Sequence, residues 1–272
     1  MVERERRMKK KKTRGQRVIP ILPNLLTTGS LFLGLYSIMT SIEIVSIQGS
    51  PEFSEEFIYN KFWWAAAFIG FSVVLDMFDG KLARLLKSES DFGLSYDSLS
   101  DLVSFGVAPG VLIYAWSLMN ASKFGLMAVL FYMVCTALRL ARFNVQSTKL
   151  EKYKFTGLPS PMAAGLIFSP ILLFSEFRIA PTQFMAWFYL IAAPFVGLLM
   201  VSNIPYWKYP RFRLAGPFNA LVVSSIIIAA VVTNPEIMVI LIVYLYGIAG
   251  LILYVAKQLS RKSAISEDAT AD

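Results

Sequence analysis

The chain has no histidine and a single cysteine, Cys135, among its 272 residues. The first absence removes Ser-His and Cys-His nucleophile pairs and histidine-ligated zinc; the second removes CxxC redox sites and any intrachain disulfide. Charge is scarce too, at 16% of residues, against 56% hydrophobic residues and a mean hydropathy of +0.57. One soluble core of this size does not use so many apolar side chains, so the composition points to an integral membrane protein. Whatever chemistry the chain performs has to come from carboxylates, lysine, arginine or hydroxyls. The net charge of +8 is unevenly spread, with nine of the 26 Lys and Arg between Arg4 and Arg17. No nucleic-acid-binding fold accompanies that run. Beside a membrane span it reads as a topology signal and a contact for anionic membrane lipids, and no nucleic acid is expected as a partner.

A helix needs roughly 20 apolar residues to cross a bilayer. Eight stretches are candidates, at about 21–46, 62–87, 92–119, 122–145, 160–176, 182–202, 216–233 and 235–256. The alternating ten-residue segments of an outer-membrane barrel are missing, and the first stretch is too long and continuous for a cleaved signal-peptide core. The expected fold is all-α and polytopic, with about eight transmembrane helices. With the N-terminus on the cytoplasmic side, 23 of the 26 basic residues fall inside and only Lys61, Lys123 and Arg178 fall outside, as the positive-inside rule requires. Both termini are then cytoplasmic and the protein lies in the inner (cytoplasmic) membrane. The expected organisation is a basic N-terminal segment (1–20), a six-helix core (21–202), a basic turn with two additional helices (203–256) and a polar tail (257–272). The tail is expected to be disordered over 263–272. Phe62, Trp63 and Trp64, and Tyr206, Trp207 and Tyr209, read as interfacial anchors, and Cys135 as buried packing.

Four acidic residues are out of place in this pattern. Asp76 and Asp79 lie in the second stretch, and Asp97 and Asp101 in the third. Each aspartate near the centre of a membrane helix costs about 2.5–3.5 kcal/mol, so four unpaired ones would cost about 10 kcal/mol. Cations are the obvious compensation. The i,i+3 and i,i+4 spacings put each pair on one helix face. The cross-pairs Asp76/Asp101 and Asp79/Asp97 are both centred on residue 88, where the chain turns back. All four carboxylates can therefore meet at matched depth, the nearer pair roughly 12–15 Å and the farther about 18 Å from the turn. An all-oxygen donor set suits Mg²⁺ or Mn²⁺, and two such ions would resemble the clamp used in phosphoryl transfer. Gly80, Ala83 and Gly93 are small on the same faces, either to admit a bulky ligand or as packing positions between helices. Arg84 is either a bidentate phosphate donor or a snorkelling edge charge.

Asp76, Asp79-Gly80, Ala83-Arg84, Gly93, Asp97 and Asp101 reproduce the pattern D-x2-D-G-x2-A-R-x8-G-x3-D-x3-D. In this the chain resembles the CDP-alcohol phosphotransferases, whose six-helix core displaces CMP from a CDP-linked substrate with an alcohol. The segments DLVSFGVAPG (101–110), RLARFN (139–144), GLPSPMAAG (157–165) and PNLLT (23–27) are similar to the bacterial-type phosphatidylserine synthases within that family. The resemblance covers about residues 20–205. It implies that Asp76, Asp79 and Asp97 are metal ligands and that Asp101 is the general base, also touching an ion. It further implies that Gly80 and Ala83 lie against the cytidine and that Arg84 contacts the diphosphate. Asn24, Thr27 and Ser90 are further candidates for the nucleotide or its phosphates, although Ser90 could equally cap a helix. CDP-diacylglycerol and L-serine are the substrates so implied, and a homodimer the assembly.

Serine carries a carboxylate that needs a cation. Arg139 and Arg142 are candidates for it, with Asn144 in support, unless the two arginines serve topology alone. Two rivals stand beside this reading. A cation channel or transporter also uses intramembrane aspartates, but would spread them over the membrane depth or over repeated elements. Within the family, an acceptor such as glycerol phosphate or inositol phosphate would call for a denser cationic pocket.

Overall fold

The computed structural model describes residues 21–86, 88, 90–147, 157–204, 225 and 233–269. These residues form seven helices and, among them, no strand. They are α1 (Ile21–Ile47), α2 (Glu55–Leu85), α3 (Asp91–Ala121), α4 (Ser122–Ser147), α5 (Ser160–Glu176), α6 (Gln183–Val201) and α7 (Pro235–Ala269). Six of the seven are long and apolar enough to cross a membrane, and α5, at 17 residues, is shorter. Predicted spans one to six and eight correspond to α1–α6 and α7. The seventh, 216–233, lies outside the described residues apart from Ser225 and Thr233, as do Tyr206, Trp207 and Tyr209.

α1 turns the usual amphipathic pattern inside out. Its buried face is small and polar, running through Thr27, Ser30, Gly34, Ser37 and Ser41, while Ile21, Leu25, Phe32 and Met39 point outward. Lipid tails solvate leucine as well as a neighbouring helix does, so association relies on close approach and interhelical hydrogen bonds. Ser30 and Ser72 are joined Oγ to Oγ at 2.7 Å, and Ser37 donates to the Ala65 carbonyl at 2.7 Å, zipping α1 antiparallel to α2. α3 runs parallel to α1 on the other side, with Ser100 and Ser104 donating to the carbonyls of Thr27 and Ser30 at 3.1 Å each. At the crossing, a Cβ on Gly34 would lie 2.6 Å from Ser104 Oγ and 2.8 Å from its Cα. Only glycine lets these backbones touch.

α4 returns antiparallel to α3, and α6 closes against α4, where Gly197 faces Cys135; the cysteine is buried as expected. The chain enters α5 through Gly157, whose φ of +90° is left-handed. A Cβ there would sit 2.3 Å from the Met200 carbonyl oxygen. The amides of Gly157 and Leu158 donate to Ile204 and Leu199, pinning the start of α5 to the end of α6.

Three expectations need correction. α2 begins at Glu55 and not near residue 62, because Ser54 accepts from the Phe57 amide and Glu55 and Glu56 favour the positive end of the helix dipole. Phe62 therefore lies two turns inside the helix, fully buried and edge-on to Trp116, and Trp63 donates to buried Glu236; of the three aromatics only Trp64 is exposed. The tail is helical through Ala269 rather than disordered from 263. Gln, Lys, Arg, Ala and Glu there are good helix formers, and no glycine or proline follows Gly250 to stop the helix.

Candidate active site

The end of α2 and the start of α3 form a hairpin. Ser90 caps α3 by accepting from the Gly93 amide at 3.0 Å, so the capping alternative describes its side chain. With the hairpin closed, carboxylate oxygens of Asp76, Asp97 and Asp101 lie within 4.8 Å of one another, all three half-buried. Asp79 stands apart from this trio. It is 4% exposed and accepts from Thr27 Oγ1 at 2.8 Å. Thr27 thus orients an aspartate. The hydroxyl of Thr28, one residue on, is 2.9 Å from that of Tyr96.

Three carboxylates so close are unstable as bare anions. At an effective dielectric constant of about 20, each pair at this spacing repels by about 3 kcal/mol or more. The oxygen-only donor set fits a hard divalent cation, and the residues present match that requirement. Directly after Asp101 the helix widens into a π turn over Leu102–Val107, a feature common beside functional sites. The carbonyl of Phe105 in that turn accepts from Tyr132 of α4 at 2.7 Å.

Other expected residues fall around this cluster. Gly80 is exposed, and a Cβ on it would meet nothing within 4 Å, so space for a ligand opens over α2. Ala83 is half-buried and Arg84 exposed on the last turns of the same helix. A Cβ on Gly93 would be 3.1 Å from Ser90 Oγ and 3.5 Å from Asn24 Oδ1, which places Asn24 at the N-terminus of α3. Asn144 Oδ1 accepts from Ser98, the neighbour of Asp97, at 2.9 Å.

The two arginines of α4 part company. Arg139 donates to Ser160 Oγ at the start of α5 and lies within electrostatic range of Asp76 and Asp101. Arg142 turns the other way, donating to the Val201 carbonyl at 3.1 Å and to Asn203 Oδ1 at 2.6 Å. It ties down the C-terminal end of α6, where free carbonyls attract a cation. Ser98, Ser160 and the π turn escaped the sequence reading. Ser160 lies inside GLPSPMAAG, but nothing in a serine following a proline tells that it will meet an arginine 21 positions earlier.

The comparisons decide the family. Residues 20–201 match the family described as CDP-alcohol phosphatidyltransferase. The chain belongs to that family. It is 33% identical over 193 residues to a CDP-diacylglycerol–serine O-phosphatidyltransferase of Helicobacter pylori strain 26695, covering 71% of this chain and 73% of that one. It is 34% identical over 198 residues to the protein of the same name from Bacillus subtilis strain 168, covering 71% and 91%. The Mycobacterium tuberculosis H37Rv protein of that name is 31% identical over 245 residues, covering 86% of this chain and 79% of the relative. The family match spans the residues of the D-x2-D-G pattern and ends at the last residue of α6, leaving α7 outside it.

Proposed function

We propose that this membrane protein is a CDP-diacylglycerol–serine O-phosphatidyltransferase, moving the phosphatidyl group from CDP-diacylglycerol to the hydroxyl of L-serine with release of CMP. The observation that carries the reading is the convergence of Asp76, Asp97 and Asp101 with Arg139 beside them, in a chain whose similar relatives bear that name. Asp76, Asp79, Asp97 and Asp101 would hold two divalent ions, Mg²⁺ or Mn²⁺, whose charge offsets that of the diphosphate and makes CMP a tolerable leaving group. Arg84 donates to the diphosphate from the mouth of the site. Gly80 and Ala83 leave room for the cytidine, with Asn24, Thr27, Ser90 and Gly93 framing that space.

The serine hydroxyl oxygen attacks the phosphorus that carries diacylglycerol. The bond from that phosphorus to the CMP oxygen breaks with its electron pair, and Asp101 takes the hydroxyl proton. Arg139 receives the serine carboxylate. A single arginine at that point suits a carboxylate better than a phosphorylated acceptor, and Arg142 is committed to α6. Asn144 supports the pocket through Ser98. The active site faces the cytoplasm in this reading, because Lys81, Arg84, Arg139 and Arg142 share its end of the bundle. The ion pairs Lys61–Glu43 and Arg178–Glu56 lie at the other end. The homodimer rests on the resemblance.

The test is an acceptor panel, in which purified protein receives CDP-diacylglycerol, Mg²⁺ or Mn²⁺ and one alcohol at a time, and CMP release is measured. Serine is expected to support release. Release with glycerol 3-phosphate or inositol phosphate but not with serine would refute the acceptor assignment, and no release with any alcohol would refute the transferase.

A further inference from the structure

Prolines inside two helices of this bundle are each matched by a tyrosine from a neighbouring helix. An α-helical carbonyl accepts from the amide four residues on, and proline has no amide hydrogen to give. Pro170 in α5 deprives Leu166 in this way, and the Leu166 carbonyl accepts from Tyr244 of α7 at 3.3 Å. Pro109 in α3 deprives Phe105, whose carbonyl accepts from Tyr132 of α4 at 2.7 Å. A membrane helix tolerates proline when a neighbour satisfies the freed carbonyl. The two helices then differ. α5 stays α-helical past Pro170, whereas α3 widens into the π turn of Leu102–Val107 directly after Asp101. Pro109 and the turn both lie in DLVSFGVAPG (101–110), a segment of which the proposed mechanism uses Asp101 alone.

α4 presses on this turn along its length. A Cβ on Gly106 would lie 3.1 Å from Thr136 Cγ2, and one on Gly110 would lie 2.6 Å from Met133 Cε. Tyr132 sits in the same seam, fully buried, with its hydroxyl on the turn's own backbone. A π turn holds one residue more than an α turn. At about 100° of rotation and 1.5 Å of rise per residue, closing it would swing or slide the part of α3 before the turn against the part after it. The part after it is fixed, because Ala108, Leu112 and Ile113 are fully buried in the core. Asp97 and Asp101 belong to the part that would move.

We infer that Tyr132 is a positioning residue, which through the Phe105 carbonyl holds the π turn open and keeps Asp101 facing Asp76 and Asp97, a role that rests on the reading of Asp101 as the general base. Tyr132→Phe keeps the ring and removes the donor. A 1 Å misplacement at a reacting group costs about 10²-fold, and Ser100 and Ser104 still tether α3 to α1 in this variant, so kcat is expected to fall about tenfold. The assay uses the full-length enzyme in mixed micelles with Mn²⁺, and the KM values for serine and CDP-diacylglycerol should stay within about twofold of wild type. Added to Asp101→Asn, Tyr132→Phe should lower kcat no further, since both act through one carboxylate. In the metal-free protein, deuterium uptake by the backbone of 101–110 should rise. Tyr189→Phe removes an equally buried phenol's 3.2 Å bond to the Ile167 carbonyl of α5, and should leave kcat and that uptake unchanged. Pairing Tyr132→Phe with Pro109→Ala returns an amide to the Phe105 carbonyl and guards the fold; kcat should stay low because the turn then closes. Wild-type kcat in Tyr132→Phe or in that pair, while Asp101→Asn loses turnover, overturns the positioning role and leaves Asp101 as the base. An equal fall of kcat in Tyr189→Phe, an additive loss in the double variant with Asp101→Asn, or unchanged uptake over 101–110 overturns it as well. Wild-type turnover in Asp101→Asn overturns the base reading and this role with it.

Discussion

Toward the outer end of α1 and α2, charged and polar side chains pair within the chain: Ser37 meets the Ala65 carbonyl, Lys61 meets Glu43, and Arg178 reaches across to Glu56. At the inner end of α2 and the start of α3, Asp76, Asp97 and Asp101 face one another with no cation among the described residues in ion-pair contact. In the outer region the charges are matched from within the chain. The other, in the function proposed, is completed by cations brought to it, as ionisable groups inside a bilayer mark function by default.

The contrast is broken most severely by taking away what the inner end needs. Chelation with EDTA is expected to reduce CMP release below about 1% of its starting rate, with recovery on adding Mg²⁺ or Mn²⁺, while helicity by circular dichroism stays constant. Asp101→Asn comes next. Loss of a general base costs about 10²–10⁴ in kcat, and CDP-diacylglycerol binding should persist because Asp76, Asp79 and Asp97 remain; wild-type turnover in this variant would exclude Asp101 as the base.

Thr27→Val tests the member of the quartet that stands apart. It leaves the buried Asp79 carboxylate without its 2.8 Å donor, and a hydrogen bond to a charged group is worth about 1.5–3 kcal/mol. A rise of about tenfold or more in the metal concentration for half-maximal activity is the expected reading. Moving away from the site, Gly34→Ala places a methyl against Ser104. Overpacking of this kind costs about 1–3 kcal/mol, and a lowered Tm with unaltered metal dependence is predicted. The smallest effect belongs to the outer rim: Lys61→Ala and Arg178→Ala should each change stability by about 1 kcal/mol or less and leave turnover untouched.

These tests also mark where the sequence was legible. The mirrored spacing of the aspartates about residue 88 placed the hairpin and the meeting of its carboxylates, because helical rise alone sets depth. Spacing does not set rotation so firmly. Residues three apart on a helix are about 60° apart around its axis, enough for Asp76 to face α3 while Asp79 turns to Thr27 on α1. The start of α2 was hidden because its first turns are polar and an apolar window finds only the part that lipid would cover. Arg139 and Arg142 looked alike in RLARFN, yet three residues of helix send one to Ser160 at the start of α5 and the other to the end of α6. The π turn after Asp101 leaves no periodic trace at all, since it displaces the register by a single residue.

The central claim is that the carboxylates of α2 and α3 exist to hold divalent cations. Titration of Mn²⁺ into the purified full-length protein, followed by loss of the free-ion electron paramagnetic resonance signal, measures this without reference to turnover. Saturable binding to wild type and at least tenfold weaker binding to Asp97→Asn is the predicted result. Equal binding by the two proteins, or no saturable binding by wild type in the presence of CDP-diacylglycerol, would contradict it.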